Sequence, residues 1–343
     1  MRAMRVLGEG RAIVTDRPVP QPGPGQVLLK MRAAAICGSD LHRYKLKLSD
    51  DDPTKRFVPG HEPCGDIVEV GPGIDDWSVG DRTVVYHRVT CMQCLYCTAG
   101  ERNLCVNRLG AYGFDPDGAN QEYMIAWSQH LIRLPEDFDH VDGALFACQV
   151  GTAYHPLKTM NVSGRDRLVV SGLGPVGLFT VQLAKAMGAT VAGVDPSPER
   201  RRLAESVGAD AVLDPTANPI GDAVHSLFPG GADKLAETSG ATAAHRAISS
   251  QLRTNGQAAI VGLSHPGASL ELGGLDGILF QQIRVFGSNL YPNKDFDEIA
   301  DFVRRKKVPI KDVITHQMPI DDGPSAFQLA TGATAGKIVF RFD

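Results

Sequence analysis

Four cysteines within fifteen residues constrain this chain more than any other feature. Cys91, Cys94, Cys97 and Cys105 follow the pattern C-x2-C-x2-C-x7-C inside the polar loop CMQCLYCTAGERNLC. Four thiolates so close in sequence can close a tetrahedral shell around Zn2+. Four unrelated core cysteines are the weaker explanation, because cysteine is rare and a metal shell is the simplest reason to crowd it into such a loop. An iron–sulfur cluster is the sharper rival. The bacterial ferredoxin run, however, ends in a three-residue gap with proline after the last cysteine, whereas here the gap is seven and Val106 follows. Zinc is expected, and a shell of four thiolates leaves no open position, so this site should fold a loop rather than do chemistry.

At 343 residues the chain exceeds a usual single domain, which favours two domains and a cleft between them. Its 22% charged residues, net charge of −4 and lack of a basic run interleaved with aromatics give no electrostatic footprint for nucleic acid, so a small-molecule partner is expected. The start MRAMRVLGEG lacks an apolar h-region, and no apolar run reaches spanning length, which argues against secretion and membrane insertion. An odd cysteine count of seven in such a chain points to a reducing, cytoplasmic setting and to metal ligation rather than disulfides.

Up to about residue 150 the sequence shows short β-rich runs at 26–35, 65–70, 82–87 and 122–126, cut by turns such as PQPGPG at 20–25. That rhythm predicts a β-rich barrel or sandwich. Beyond it, strands alternate with helical periods: RLVVS then VGLFTVQLAKAMGA, TVAGVD then PERRRLAESVGA, KLAETSG then AAHRAISSQL. The fold class is therefore α/β, with a doubly wound parallel sheet in the second part. Ser197, Pro198 and Gly208 are placed to cap, open and end its second helix. From about 288 a helix at 296–306, a loop and a strand at 337–342 remain, and periodicity does not assign this tail to either domain.

A catalytic zinc needs about three protein ligands and one open position. Cys37 in CGSDLH and His61 in GHE offer two, and Cys148 in ALFACQVGTAY stands at the junction of the two textures. Taken singly, each is more often a core cysteine or a structural histidine. The cofactor signal is a strand at 168–171 followed by Gly172-Leu173-Gly174-Pro175-Val176-Gly177 opening a helix. This is the dinucleotide fingerprint in its proper context, with backbone N–H groups free to meet a pyrophosphate. Asp195 ends the next strand eighteen residues past Gly177, where a carboxylate accepts ribose hydroxyls and repels a 2′-phosphate. NAD is favoured over NADP, with Arg200, Arg201 and Arg202 as the counterargument.

Together, CGSDLH, PGHEPCGDIVEVG, VGDRTVVY, the four-cysteine loop, GLGPVG with its later acid, and AGKIVF resemble the zinc-containing medium-chain dehydrogenase/reductase family of alcohol, polyol and threonine dehydrogenases. The resemblance implies a GroES-like catalytic domain from residues 1–150 and 288–343 around a Rossmann NAD-binding domain at 151–287. It implies two zinc ions per chain, one structural at the four-cysteine loop and one catalytic on Cys37, His61 and Cys148, with Glu62 as a transient ligand. Ser39 and His42 are implied to relay a proton, with Asp40 steadying that segment. Arg200 would lie beside the adenosine ribose, Thr152 near the nicotinamide, Leu263, Ser288 and Leu290 around the carboxamide, and Lys337 near the pyrophosphate. The chain departs from family members with arginine at Gly38, and from polyol dehydrogenases with glutamate at Cys148. Cys64 matches no role and reads as a core thiol.

By the same resemblance His87 falls where ethanol-oxidising members often carry an aromatic pocket residue, and an imidazole there points to a secondary or polyhydroxylated alcohol as the substrate; a structural histidine on a strand end is the other reading. Arg88 and the loop 45–57 are expected to border the pocket. The alternatives are an L-threonine 3-dehydrogenase-like activity, an NADPH-linked aldehyde reductase and, from another class, a catalytically inactive nucleotide-binding protein. The family resemblance also implies a homodimer or homotetramer.

Overall fold

The computed structural model describes residues 1–49, 57–263, 269–272, 274–332 and 334–343. The three aspartates at 50–52, expected near the pocket, lie outside the described residues. Two compact units divide the chain, the first made of Met1–Gln149, Pro292–Phe296 and Ile314–Asp343, the second of Val150–Tyr291 and Asp297–Val313.

The first unit is built on the strand Gln26–Ala35, whose run QVLLKMRAAA is long and apolar enough to serve partners on both edges. Residues 27–34 pair antiparallel with Val70 back to Pro63, residues 26–30 with Trp127 back to Tyr123, and residues 33–35 with Arg341 back to Val339. A seven-stranded sheet results, completed by Arg82–Val85, Leu131–Arg133 and Ile314–Pro319. Val27, Leu29, Met31, Ile67, Met124, Phe327 and Phe340 form its core. Burying such a side chain contributes roughly 2 kcal/mol, against under about 1 kcal/mol for an exposed ion pair, so the core rather than the surface charges holds the unit together.

Register also sets up the site. Because Ala34 faces Pro63 and Ala35 faces Val339, the residues just past the end of the central strand meet those where its two neighbours begin. Cys37, Glu62 and Lys337 are thereby delivered to one end of the sheet.

The second unit holds a six-stranded parallel sheet in the order Ala211–Leu213, Thr190–Val194, Arg167–Ser171, Ala232–Glu237, Leu252–Ile260, Arg284–Gly287. This is the doubly wound arrangement whose order reverses beside the first strand. Helix Pro198–Ser206 starts as its sequence predicts: the Ser197 side chain accepts the Arg200 N–H at 3.3 Å and Pro198 takes the first position. Gly208 follows its end with φ of +108°.

The tail differs from the expected single segment at 288–343. Helix Phe296–Lys306 forms as expected, but Asp297–Val313 groups with the second unit. The cause is packing: Glu298 accepts from Tyr154 and Lys158 at 2.9 and 2.6 Å, Phe302 lies 5.3 Å from Tyr154, and Gln182 donates to Pro309 O. The expected loop contains a strand, Ile314–Pro319, and a helix, Gly323–Thr331. The strand is a half-exposed sheet edge whose polar run ITHQMP carries no alternation, and the helix opens on Gly-Pro, which reads as a turn. Among the described residues no helix is long and apolar enough to cross a membrane.

Asp233 fastens three neighbouring strands of the second unit. Its carboxylate accepts the backbone and side-chain N–H of Arg167 at 2.8 and 3.1 Å and the guanidinium of Arg253. Burial would raise its pKa, but Arg253 and Arg167 outweigh that and hold it below the usual aspartate value. A depressed carboxylate stabilises the fold above the unfolded pKa and ceases to do so as pH falls through the folded one. Asp233→Asn should therefore cost about 1–3 kcal/mol in urea unfolding near neutral pH, with the gap from wild type closing below about pH 4. A gap independent of pH would contradict this role.

Candidate active site

The four loop thiols converge. Among Cys91, Cys94, Cys97 and Cys105 all Sγ atoms lie within 4.8 Å of one another, with separations of 3.6 Å for 91–105, 3.9 Å for 94–105 and 4.0 Å for 91–97. A tetrahedron with Zn–S of ~2.3 Å has edges of ~3.8 Å, so the spacing fits zinc. None of the seven cysteines is in a disulfide. Backbone N–H groups of Cys97 and Val106 bring the Cys94 thiol down to about 6, and that of Gln93 lowers Cys91. These donors favour the thiolate at Cys91 and Cys94, whereas burial and then the neighbouring thiols push Cys97 up to about 12. The loop is held by the short helix Leu95–Thr98, and the ammonium of Lys294 reaches Glu101 at 2.9 Å.

A second cluster gathers Cys37, His61, Glu62 and Cys148, whose ligand atoms also lie within 4.8 Å of one another. Local folding explains each position. Cys37 is the N-cap of helix Gly38–Lys45, and Asp40 closes a capping box by accepting the Cys37 N–H at 2.9 Å. The other oxygen of Asp40 meets His61 Nδ1 at 3.0 Å, which turns Nε2 toward the cluster. Gly60, at φ of +96°, makes the turn before His61, where an added Cβ would come 2.3 Å from the Asn120 side chain. Cys148 stands between helix His140–Phe146 and helix Gln149–Thr159. His61, Glu62 and Cys148 are buried, and Cys37 is half-buried.

These groups perturb one another strongly. A hydrogen bond with Cys148 holds the Cys37 thiol well below its usual range against the cost of burial, and the same bond pushes Cys148 up. Burial would lower the His61 pKa, but Asp40 and Cys37 outweigh it and hold it high. Burial raises Glu62 to about 8 despite the nearby Lys337. Protons thus occupy positions for which a divalent cation competes. Two sulfurs, an imidazole braced by a carboxylate, and the buried Glu62 Oε1, which has no hydrogen-bond partner among the described residues, are a donor set suited to zinc.

Around the cluster, Ser39 Oγ lies 3.3 Å from His61 Nε2. His42 follows three residues later on the same helix, which places the two on one helix face, although among the described residues no hydrogen bond joins their side chains. The His87 ring is buried 4.9 Å from that of His61, and its Nδ1 faces Ala147 O at 3.4 Å. Burial, then the charge of His61, holds His87 well below the usual histidine value. Phe114 lies 5.7 Å from His61 and was not legible in the sequence. Lys337, expected beside a pyrophosphate, is fully buried and pairs with Glu62. Its position in the apolar strand AGKIVF was the one available sign. Cys64 is fully buried and burial raises its thiol far above the usual value, in keeping with a core thiol.

In the second unit the glycine turn takes the expected form. Gly172 has φ of +95°, Gly174 is the N-cap of helix Pro175–Ala186, which begins with Pro175 and Val176, and a Cβ on Gly177 would come 1.9 Å from Gly172 O. Asp195 accepts the Leu173 N–H at 2.8 Å and the Ser197 N–H at 2.9 Å, so it also ties the turn to the next strand. The three arginines divide: Arg200 lies 3.8 Å from Asp195, Arg201 pairs with Asp214 at 3.0 Å, and Arg202 pairs with Glu199. Thr152 and Ser288 are buried, Leu290 has φ of +55°, and Leu263 is exposed.

Comparison with known proteins agrees with both units. The alcohol dehydrogenase GroES-like domain matches residues 23–136 and the zinc-binding dehydrogenase domain matches residues 175–305. The chain is 33% identical to a sorbitol dehydrogenase of Halalkalibacterium halodurans, over 97% of this chain and 96% of that protein. It is 31% identical to an L-threonine 3-dehydrogenase of Pyrococcus furiosus, over 98% and 97%. Among solved structures, a zinc-binding dehydrogenase of Sinorhizobium meliloti 1021 bound to NADP superimposes with a TM-score of 0.88 at 30% identity, covering 99% of each chain. With its GroES-like and zinc-binding dehydrogenase domains in this order and full-length likeness to such enzymes, the chain belongs to the zinc-containing medium-chain dehydrogenase family and is an oxidoreductase of the alcohol dehydrogenase type.

Proposed function

We propose that this chain transfers a hydride between a secondary or polyhydroxylated alcohol and NAD, with catalytic zinc on Cys37, His61 and Cys148. The observation that carries this reading is the convergence of those three ligands and Glu62 within 4.8 Å, beside the buried His87 ring 4.9 Å from that of His61. In this chemistry zinc supplies an electrophile that acidifies the alcohol, and the nicotinamide supplies the hydride acceptor. A second zinc at Cys91, Cys94, Cys97 and Cys105 is structural.

The chain's own residues do the rest. Asp40 fixes the His61 ring, and Ser39 Oγ is the first group placed to take the alcohol proton, with His42 as its exit. His87 directs Nδ1 at Ala147 O, which leaves Nε2 to accept from a second substrate hydroxyl. The same nitrogen would accept from the ammonium of an amino alcohol, which keeps a threonine-type substrate as the second reading. Asp195, with both oxygens already gathering backbone N–H groups, favours the unphosphorylated ribose of NAD, and Arg200 beside it is the residue through which NADP would enter. Thiolate sets of this kind fit a cytoplasmic setting, and a homodimer or homotetramer is part of the proposal. A panel of alcohols, polyols and threonine, read with NAD and NADP, tests the whole. No turnover of any secondary alcohol by fully metallated protein would overturn it and favour a nucleotide-binding role.

Three variants sharpen the test. Cys37→Ser should cut kcat/KM by about a thousandfold or more while elemental analysis still finds the loop zinc; retained activity would remove Cys37 from the site. His87→Phe should lower the ratio of polyol to simple-alcohol kcat/KM by about ten- to hundredfold, and an unchanged ratio would make His87 structural. Asp195→Ser should raise the NADP-to-NAD ratio of kcat/KM by about tenfold or more; no shift would assign specificity elsewhere.

A further inference from the structure

Glu237 is fully buried, which is rare for a glutamate unless its carboxylate is paired. It ends the strand Ala232–Glu237, and its register partner Ser171 ends the neighbouring strand Arg167–Ser171. The sheet order reverses between these two strands, and a dinucleotide binds in the crevice outside the carboxyl ends of strands at such a reversal. An acid here could face a ligand, yet this one turns back on its own chain. One oxygen accepts the Ser239 N–H at 2.8 Å, the Gly240 N–H at 3.0 Å and the Ser239 hydroxyl, and the other meets His245 Nε2 at 3.1 Å. His245 is itself buried and arrives from helix Thr242–Arg246. The turn gathered in this way, 238–241, leans on its neighbours at both sides. Thr238 donates its hydroxyl to Gly172 O at 2.6 Å and its N–H to Ser171 O at 2.8 Å, and a Cβ on Gly172 would come 2.7 Å from Ser239. On the far side the N–H groups of Val261 and Gly262 donate to Glu237 O at 2.8 and 2.9 Å, and a Cβ on Gly262 would come 2.1 Å from Gly240 N. One carboxylate thus locks the middle of three turns.

We propose that Glu237, tethered by His245, is a positioning residue that fixes the turn 238–241 against the glycine turn and so shapes the crevice for the nicotinamide cofactor. The inference rests on the cofactor reading above. A backbone cradle binds well only if its N–H groups stand in place before the ligand arrives, because ordering them afterwards subtracts from affinity. Glu237 supplies that order from within. Without its acceptor oxygens the N–H groups of Ser239 and Gly240 lose their partner, and a buried donor left unmade is costly enough to move a turn. The turn then withdraws from Gly172, and binding weakens although no group that meets the nucleotide has changed.

Fluorescence titration of the full-length, zinc-loaded protein with NADH gives a readout independent of turnover. Glu237→Leu should raise the NADH Kd about tenfold, with KM for NAD rising in step and KM for the alcohol unmoved. His245→Leu and Ser239→Ala each remove one partner of the same carboxylate and should raise Kd about threefold; they decide the matter if Glu237→Leu fails to fold. Glu237→Gln should bind nearly as wild type does, since its oxygen keeps the N–H groups of the turn and its amide donates to His245, whose ring nitrogen accepts in the other tautomer. Asp233→Asn, at the opposite end of the same strand, should lower stability without changing Kd, which separates positioning from a general loosening of the sheet. If Glu237→Leu, His245→Leu and Ser239→Ala all bind NADH as wild type does, or if Asp233→Asn weakens binding as much as they do, the proposal fails and Glu237 serves the fold alone. Wild-type protein that binds neither NADH nor NADPH would overturn the cofactor reading instead, which keeps the two failures apart.

Discussion

The carboxylate of Asp40 is the constraint from which the site follows. One oxygen caps the helix that begins at Cys37 and the other braces the ring of His61, so a single buried side chain sets two of the proposed ligands against each other. A capping interaction contributes about 1 kcal/mol to a helix. Bracing a metal-binding imidazole is worth about ten- to hundredfold in metal affinity. The second role is the larger, which explains why this acid is buried rather than left at the helix surface.

Around that carboxylate the first unit concentrates what cores normally exclude. Glu62 and Lys337 are both fully buried, and His61 and Cys148 nearly so. A buried charge costs several kcal/mol unless paired, so the group is tolerable only as an assembly of thiols, imidazole, carboxylates and ammonium that neutralise one another. The sheet makes the assembly possible. Its register brings the ends of three adjacent strands to one place, so residues near 37, 62 and 337 meet without a long loop. The second unit solves a different problem with backbone rather than side chains, since its glycine turn excludes any Cβ at Gly172 and Gly177 and Asp195 ties that turn to the next strand.

Legibility in the sequence followed the distance over which each signal acts. The four-cysteine loop and the glycine turn are local patterns whose spacing implies their geometry, and both form as read. Helix Pro198–Ser206 was equally plain because its cap, its first proline and the glycine beyond it are neighbours. Cys148 carries no local pattern, since it stands 86 residues beyond Glu62 with several strands between; its place at the junction of the two textures made it a candidate, and resemblance to a family gave it a role. Lys337 was assigned a place by that resemblance, yet its ion pair with Glu62 is a product of strand register, which no window of sequence shows. The edge strand Ile314–Pro319 was missed for a related reason: a half-exposed edge needs no alternation, and its partner strand supplies the order.

Anomalous X-ray scattering at the zinc edge, from crystals of the protein as purified, tests the central claim most directly. The account predicts two zinc peaks per chain, one among the four sulfurs of the loop and one bonded to Cys37 Sγ, His61 Nε2 and Cys148 Sγ. A peak in the loop alone, with His61 Nε2 turned away from both sulfurs, would contradict it.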